Sequence, residues 1–317
     1  MHNPTQAIYI VADIGGTNAR FAWVRADKRD LNGIEKFPCA DFPLFVEAVR
    51  AYINRGHAES VAGICLAVAG PVEQDWIDLP NNHWAFSRRE LEQQLGMPVT
   101  IINDFSAQVL SIAALREDAL HWIGEPRPAT DQPGVTAVLG PGTGLGVSGM
   151  MPSGEIIPSE GGHVGFAPTT RHQSQLLDVL WTRYERVSVE RLLSGMGLAN
   201  LYWANARLLG QEKELPAPEV TTGARAGDTL CVQAVKDFTD ILGAVAGDTA
   251  LAMGAYKGVY LSGGILPQMM DVIDVNDIRR SFEFKGRFSP LCAEIPLAII
   301  VAEHPGLVGC AQALKSS

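Results

Sequence analysis

The sequence predicts an α/β protein in which one strand-first domain occurs twice, the second copy carrying a helical insertion. Two glycine-rich turns, Asp13-Ile-Gly-Gly-Thr-Asn18 and Gly140-Pro-Gly-Thr-Gly-Leu-Gly146, each lie between two strand-like runs. Behind each turn the elements follow one order: hairpin, helix, buried strand, strand, helix. The strands are near-continuous apolar runs, the pattern of sheets covered by helices on both faces.

Ile8-Tyr-Ile-Val-Ala12 enters the first turn and Arg20-Phe-Ala-Trp-Val-Arg25 leaves it. A Walker loop or a dinucleotide fingerprint runs from strand into helix. Here strand runs into strand, so the turn is a glycine-rich β-hairpin. Next come a helix over 42–54, an apolar strand Ala62-Gly-Ile-Cys-Leu-Ala-Val-Ala69 ending at Gly70-Pro71, and a strand Val99-Thr-Ile-Ile102 closed by Asn103-Asp104. A helix over 106–115 follows. Pro126, Pro128 and Pro133 mark 124–134 as a linker or surface loop.

Val135-Thr-Ala-Val-Leu139 and Val147-Ser-Gly-Met-Met151 flank the second turn. A long helical region covers 173–209 and 228–253, with Leu215-Pro-Ala-Pro218 as the loop between. The strand Gly258-Val-Tyr-Leu-Ser-Gly-Gly-Ile265 ends in glycines. Leu297-Ala-Ile-Ile-Val301 leads through Glu303-His-Pro-Gly306 to a terminal helix reaching Leu314. The expected domains are 1–113 plus 304–317, and 114–303.

Bulk properties narrow the function. A chain of 317 residues, 47% hydrophobic and 19% charged, is globular and long enough for two cored domains. A net charge of −10 with no Lys/Arg cluster argues against nucleic acid and anionic membranes. The start has no basic n-region, its apolar run breaks at Asp13, and no apolar stretch is long enough to span a bilayer. Cys39, Cys65, Cys231, Cys292 and Cys310 are scattered, without CxxC spacing. They are expected to be reduced, buried thiols of a cytoplasmic protein, not a zinc site or disulfide framework.

Candidate chemistry clusters at strand ends. Gly15 and Gly16 leave room for a phosphate, Thr17 and Asn18 offer donors, and Asp13 suits a hydrated Mg²⁺. An ordinary hairpin turn is the alternative. In the second turn Thr143 could donate to a terminal phosphate. With no acid in the turn, backbone and Thr143 are its expected contribution. Asp104 could accept a proton from a substrate hydroxyl, or cap the following helix. Glu160-Gly-Gly-His163 could bind sugar hydroxyls or be a plain loop, and its glycines disfavour a helical metal motif. Glu190, after Ser188, could simply complement a helix dipole. Gly263-Gly264 admits a flat group, an adenine or ribose, or tight packing. His304-Pro305-Gly306 is turn chemistry with no catalytic role.

Taken together, Asp13-Ile-Gly-Gly-Thr-Asn-Ala-Arg20, Ile102-Asn-Asp-Phe105, Gly142-Thr-Gly-Leu-Gly146, Glu160-Gly-Gly-His-Val164 and Leu261-Ser-Gly-Gly-Ile265 resemble the bacterial glucokinase family. This is the ATP-dependent type within the actin/hexokinase/Hsp70 superfamily. Asn82-His-Trp-Ala-Phe-Ser87, Val187-Ser-Val-Glu-Arg-Leu-Leu-Ser-Gly195, Lys285-Gly-Arg-Phe288 and Pro305-Gly-Leu-Val-Gly309 extend the resemblance nearly end to end.

The resemblance implies duplicated ribonuclease-H-like domains with an inter-domain cleft, and phosphoryl transfer from MgATP to the 6-hydroxyl of glucose. Ala12, Asp13, Ile14, Gly15, Gly16 and Thr17 would form the β/γ-phosphate loop, with Asp13 near Mg²⁺. Asp104 would be the base, needing no raised pKa because phosphoryl transfer asks little of it. Asn103, Glu160, His163 and Glu190 would hold the other hydroxyls. Gly142, Thr143 and Gly144 would grip phosphate, and Gly263 and Gly264 would flank the adenosine. A homodimer built on 173–253 is also implied.

The cysteine-rich zinc motif of the related repressor/kinase group is absent, so no structural zinc is expected. Gly165 stands where the family often has Asp. Gly70-Pro-Val72 and Asn81-Asn82-His83 also depart from familiar members, leaving room for mannose, fructose or glucosamine as the sugar. A non-catalytic sugar-sensing regulator is the alternative of a different class. No helix-turn-helix before residue 8 and no module after residue 314 supports it.

Overall fold

Apolar alternation becomes a sheet from the first described residues of a computed structural model, which describes 7–27, 30–57, 61–79, 81–125 and 133–314. Most of the expected linker at 124–134 lies outside the described residues. The chain divides into two compact units, Met1–Arg116 with Ala302–Ser317, and Glu117–Val301.

The first unit runs β1 (Ile8–Ile14), β2 (Asn18–Arg25), β3 (Asn32–Pro38), α1 (Phe45–Tyr52), β4 (Val61–Val68), β5 (Trp76–Asp78), β6 (Ala85–Ser87), α2 (Arg88–Leu95), β7 (Val99–Asn103) and α3 (Asp104–Ser111). Its main sheet has the order β3-β2-β1-β4-β7. β1 is antiparallel to β2 and parallel to β4, which is parallel to β7. Both faces are covered, as the continuous apolar runs require. Ile64, Leu66 and Val68 of β4 pack with Phe21, Phe45 and Tyr52 on one face. Cys65 and Ala67 pack with Val11, Leu307 and Cys310 on the other. That second face is closed by the C-terminal helix Pro305–Ala313, which lies so close to α3 that a Cβ on Gly309 would overlap the Ala107 carbonyl.

The second unit contains β8 (Leu120–Trp122), β9 (Thr136–Pro141), β10 (Leu145–Met150), β11 (Ile156–Ser159), α4 (Arg171–Trp181), α5 (Gly195–Leu208), α6 (Ala217–Arg225), α7 (Thr229–Met253), β12 (Gly258–Leu261), α8 (Leu266–Met269), α9 (Val275–Glu283), α10 (Ser289–Ala293) and β13 (Leu297–Ile300). Its sheet order is β11-β10-β9-β12-β13-β8. The first five strands repeat the order and the senses of the first unit: two antiparallel pairings, then two parallel ones. β8 adds an antiparallel edge. Both glycine turns are strand-to-strand hairpins, as expected.

The helical insertion differs in detail from the expectation. The region 173–209 is broken: α4 stops at Trp181, and a 3-10 turn, Val189–Arg191, precedes α5. The β-branched Val187 and Val189 disfavour continuous helix, and Ser194 restarts it by accepting the Gly197 N–H at 3.0 Å. α6 forms inside the expected loop, because Pro218 falls in the first turn, where its missing N–H is no loss. Asp228 caps α7 through the Cys231 N–H. Among the described residues no helix is long and apolar enough to cross a membrane. All five cysteines are buried and free.

Candidate active site

In the first unit, β1, β4 and β7 are parallel, so their carboxyl ends meet at one edge of the sheet, where open α/β sheets place ligands. Asp13 is the penultimate residue of β1 and pairs in register with Arg20, whose guanidinium lies 3.9 Å from its carboxylate. The start of the C-terminal helix also closes on Asp13. A Cβ on Gly306 would sit 2.9 Å from the Asp13 carboxyl carbon, so any larger residue there would displace the carboxylate. Burial raises the Asp13 pKa, against the opposing pull of Arg20 and then His304. Beyond Asp13 the turn is short: the Gly15 N–H donates to Asn18 at 2.9 Å. Gly16 and Thr17 are exposed at its tip, whereas the Ala12 and Ile14 side chains are buried and leave only backbone for a ligand.

Asn103, not Asp104, caps α3. Its Oδ1 accepts the N–H groups of Phe105 and Ser106 at 2.9 and 3.1 Å, and its Nδ2 donates to the Gly70 carbonyl at 3.3 Å. Asp104 is thereby released from capping and is the first helical residue. Its Oδ1 accepts the Phe105 N–H at 3.0 Å. Burial first, and the Asp13 carboxylate second, push Asp104 up to about 6, against the hydrogen bonds that favour its charged form. The sequence alone required no raised pKa here.

In the second unit Glu190 is the organising side chain. It lies in the 3-10 turn, and its Oε2 accepts the Leu145 N–H of the second glycine turn at 2.9 Å. A Cβ on Gly144 would come within 2.5 Å of that oxygen. The other carboxylate oxygen is 4.0 Å from Nδ1 of His163. Its segment is tied to the His163 loop by the Val189 N–H to Val164 carbonyl bond at 3.0 Å and a Gly165–Ser188 bridge. Glu190 is thus more than a helix-dipole residue: it braces the second turn. Gly142 accepts the Gly195 N–H at 2.9 Å, which sets the start of α5 against the turn, and Thr143 is exposed at its tip. Glu160 is exposed and precedes a 3-10 turn over Gly161–His163, with Gly162 buried.

For Gly263, tight packing is what occurs. Its φ is +93°, and it is pressed against the Pro141 carbonyl, while Gly140 has the Ser262 carbonyl carbon 2.6 Å from where its Cβ would lie. Gly264 faces open space. Gly306 was missed as a site residue because its contact with Asp13 joins the two ends of the chain.

With this geometry in place, the chain can be set beside known proteins. The Glucokinase family profile matches residues 10–317. The chain belongs to the glucokinase family. Glucokinase from Chromohalobacter salexigens is 44% identical over 97% of each chain. The crystal structure of glucokinase from an Antarctic psychrotroph superimposes with a TM-score of 0.89 at 34% identity, covering 98% of this chain and 99% of that one. A ROK family glucokinase from Streptomyces griseus, solved with glucose and AMPPNP, shares the fold at 20% identity and a TM-score of 0.66, covering 98% of this chain and 100% of that one. The fold is the duplicated ribonuclease-H-like fold of the actin/hexokinase superfamily.

The position of Asp104 has a thermodynamic signature. Between its ordinary value of 3.8 and about 6, the folded protein holds this proton when the unfolded chain has lost it. Stability therefore falls as pH rises through that window. Asp104→Asn removes the charge and keeps an acceptor for Phe105. It is expected to raise the unfolding free energy by about 2–3 kcal/mol at pH 7.5, and by less than about 1 kcal/mol at pH 4, as read by denaturant titration.

Proposed function

We propose that this chain transfers the γ-phosphoryl group of MgATP to the 6-hydroxyl of D-glucose, giving glucose 6-phosphate and ADP. The observation that carries the reading is Asp104: a carboxylate freed from capping by Asn103, at the ligand-binding edge of the sheet, beside Asp13 and the first glycine turn. Full-length similarity to glucokinases supports the same activity.

In this mechanism the ionised Asp104 takes the proton as the sugar O–H bond breaks. The sugar oxygen forms its bond to the γ-phosphorus, and the bond to the ADP oxygen breaks. A pKa of about 6 leaves Asp104 mostly ionised at neutral pH yet more basic than an ordinary carboxylate. Asn103, Glu160, His163 and Glu190 hold the remaining hydroxyls. The backbone of residues 12–17, and Gly142, Thr143 and Gly144, supply N–H donors and a hydroxyl to the phosphates, acting where charge develops. Gly264, with its open surroundings, is the glycine of its pair that admits the adenosine, and Gly263 shapes the turn beneath it.

Among the described residues no three His, Cys, Asp or Glu side chains gather to hold a metal. Asp13 offers one partly exposed carboxylate, a donor set that suits a hydrated Mg²⁺ taking its other ligands from phosphates and water. Bound there through water, Mg²⁺ would neutralise phosphate charge during transfer. We further infer a homodimer formed through residues 173–253, where Trp181 and Leu209 are exposed, and a cytoplasmic setting in keeping with five free thiols.

Asp104→Ala is expected to lower turnover at least ~100-fold with a modest change in glucose affinity. Near-normal turnover in a coupled ADP assay would remove Asp104 from the reaction. Across glucose, mannose, fructose and glucosamine with ATP, glucose is expected to give the highest kcat/KM. A higher value for another hexose would move the reading to that sugar.

A further inference from the structure

Asn81 and Asn82 pack against the first glycine turn. Nδ2 of Asn82 donates to the Gly15 carbonyl at 3.0 Å and lies 3.3 Å from Sγ of Cys39. Its Oδ1 accepts the Trp84 N–H at 3.1 Å. Trp84 is itself buried and fixed by its indole N–H on the Phe42 carbonyl at 2.8 Å. The turn is held at a second point, where the Cys39 N–H donates to the Thr17 carbonyl at 2.9 Å. Asn81 has a φ of +59°, the only positive value outside glycine among the described residues. That conformation, which asparagine tolerates better than most residues, brings its carbonyl to 3.0 Å from where a Gly16 Cβ would lie.

The direction of these bonds has a consequence. A trans peptide holds its C=O and N–H on opposite sides. With the Gly15 carbonyl drawn to Asn82, the Gly16 N–H is turned away from Asn82. Among the described residues nothing accepts a hydrogen bond from the N–H of Gly16 or Thr17, and both residues are exposed. The Gly16 N–H is thus a donor turned away from the side on which Asn82 clamps the turn.

We propose that Asn82 is a positioning residue for phosphoryl transfer: its side-chain amide fixes the Gly15–Gly16 peptide plane so that the Gly16 N–H faces the phosphates of the nucleotide. This rests on the reading of residues 12–17 as a phosphate turn. Asn82 does not touch the nucleotide. It acts through Gly15, and its loss acts on nucleotide and turnover, leaving sugar affinity in place.

The test is Asn82→Asp, which is nearly isosteric and keeps the acceptor for Trp84 but sets a carboxylate against the Gly15 carbonyl. The KM for ATP is expected to rise about tenfold and kcat to fall by a similar factor. The glucose dissociation constant, from tryptophan fluorescence without nucleotide, should stay within about twofold. Asn82→Ser retains a short donor and should fall between wild type and Asp; it also stands in should Asn82→Asp fail to fold. Unchanged ATP constants in the variants, or glucose affinity falling in step with them, would overturn the proposal. The Gly16 and Thr17 amide resonances of the wild-type protein, followed by ¹⁵N NMR while a non-hydrolysable ATP analogue is added, separate the two readings. Resonances that shift, together with normal Asn82 variants, defeat the role of Asn82 alone, whereas resonances that stay in place defeat the phosphate turn itself.

Discussion

Two carboxylates of the first unit are placed where neither ionises freely. Asp13 ends β1, Asp104 follows β7, and the parallel β1-β4-β7 order brings both to one sheet edge. Burial raises both, and the charge of Asp13 raises Asp104 further. The surrounding structure manages this repulsion. Arg20 faces Asp13 across the hairpin, Gly306 lets the C-terminal helix begin against it, and Asn103 takes over capping so that Asp104 keeps oxygen available. Asp104 is thereby kept more basic than an exposed carboxylate, at a cost in stability that the rest of the unit offsets.

The second unit solves a different problem with the same scaffold. Its glycine turn carries no acid, and Glu190 comes to it from the 3-10 turn ahead of α5. One carboxylate oxygen holds the Leu145 N–H, and the other faces His163. A single side chain therefore ties the geometry of the second turn to that of the loop bearing His163.

Much of the fold was legible because its signals are local. Strand, glycines and strand in immediate succession define a hairpin, and the repeated order of elements exposed the duplication. The break between α4 and α5 was harder to read, since the apolar residues around Val187 and Leu192 serve a turn as well as they serve a helix. The candidate site was legible as residue types at strand ends, and less so as geometry. Whether Asn103 or Asp104 caps α3 depends on side-chain rotation, which neighbouring letters do not specify. The raised pKa of Asp104 depends on Asp13, distant in sequence and brought close only by strand order. Gly306 and Asn82 act on the first turn across long stretches of chain, and nothing near them in sequence announces it. Gly263 was legible as a close approach, but what approaches it is the β9 backbone.

The central claim is that burial and Asp13 together hold Asp104 well above an ordinary carboxylate. ¹³C NMR titration of the labelled carboxyl groups in the nucleotide-free protein, with Asp104→Asn to assign the resonance, measures this directly. The account predicts a midpoint at about 6 for Asp104, moving down when Asp13 is replaced by Asn. A midpoint near the ordinary value of 3.8, or one that ignores the loss of the Asp13 charge, would contradict it.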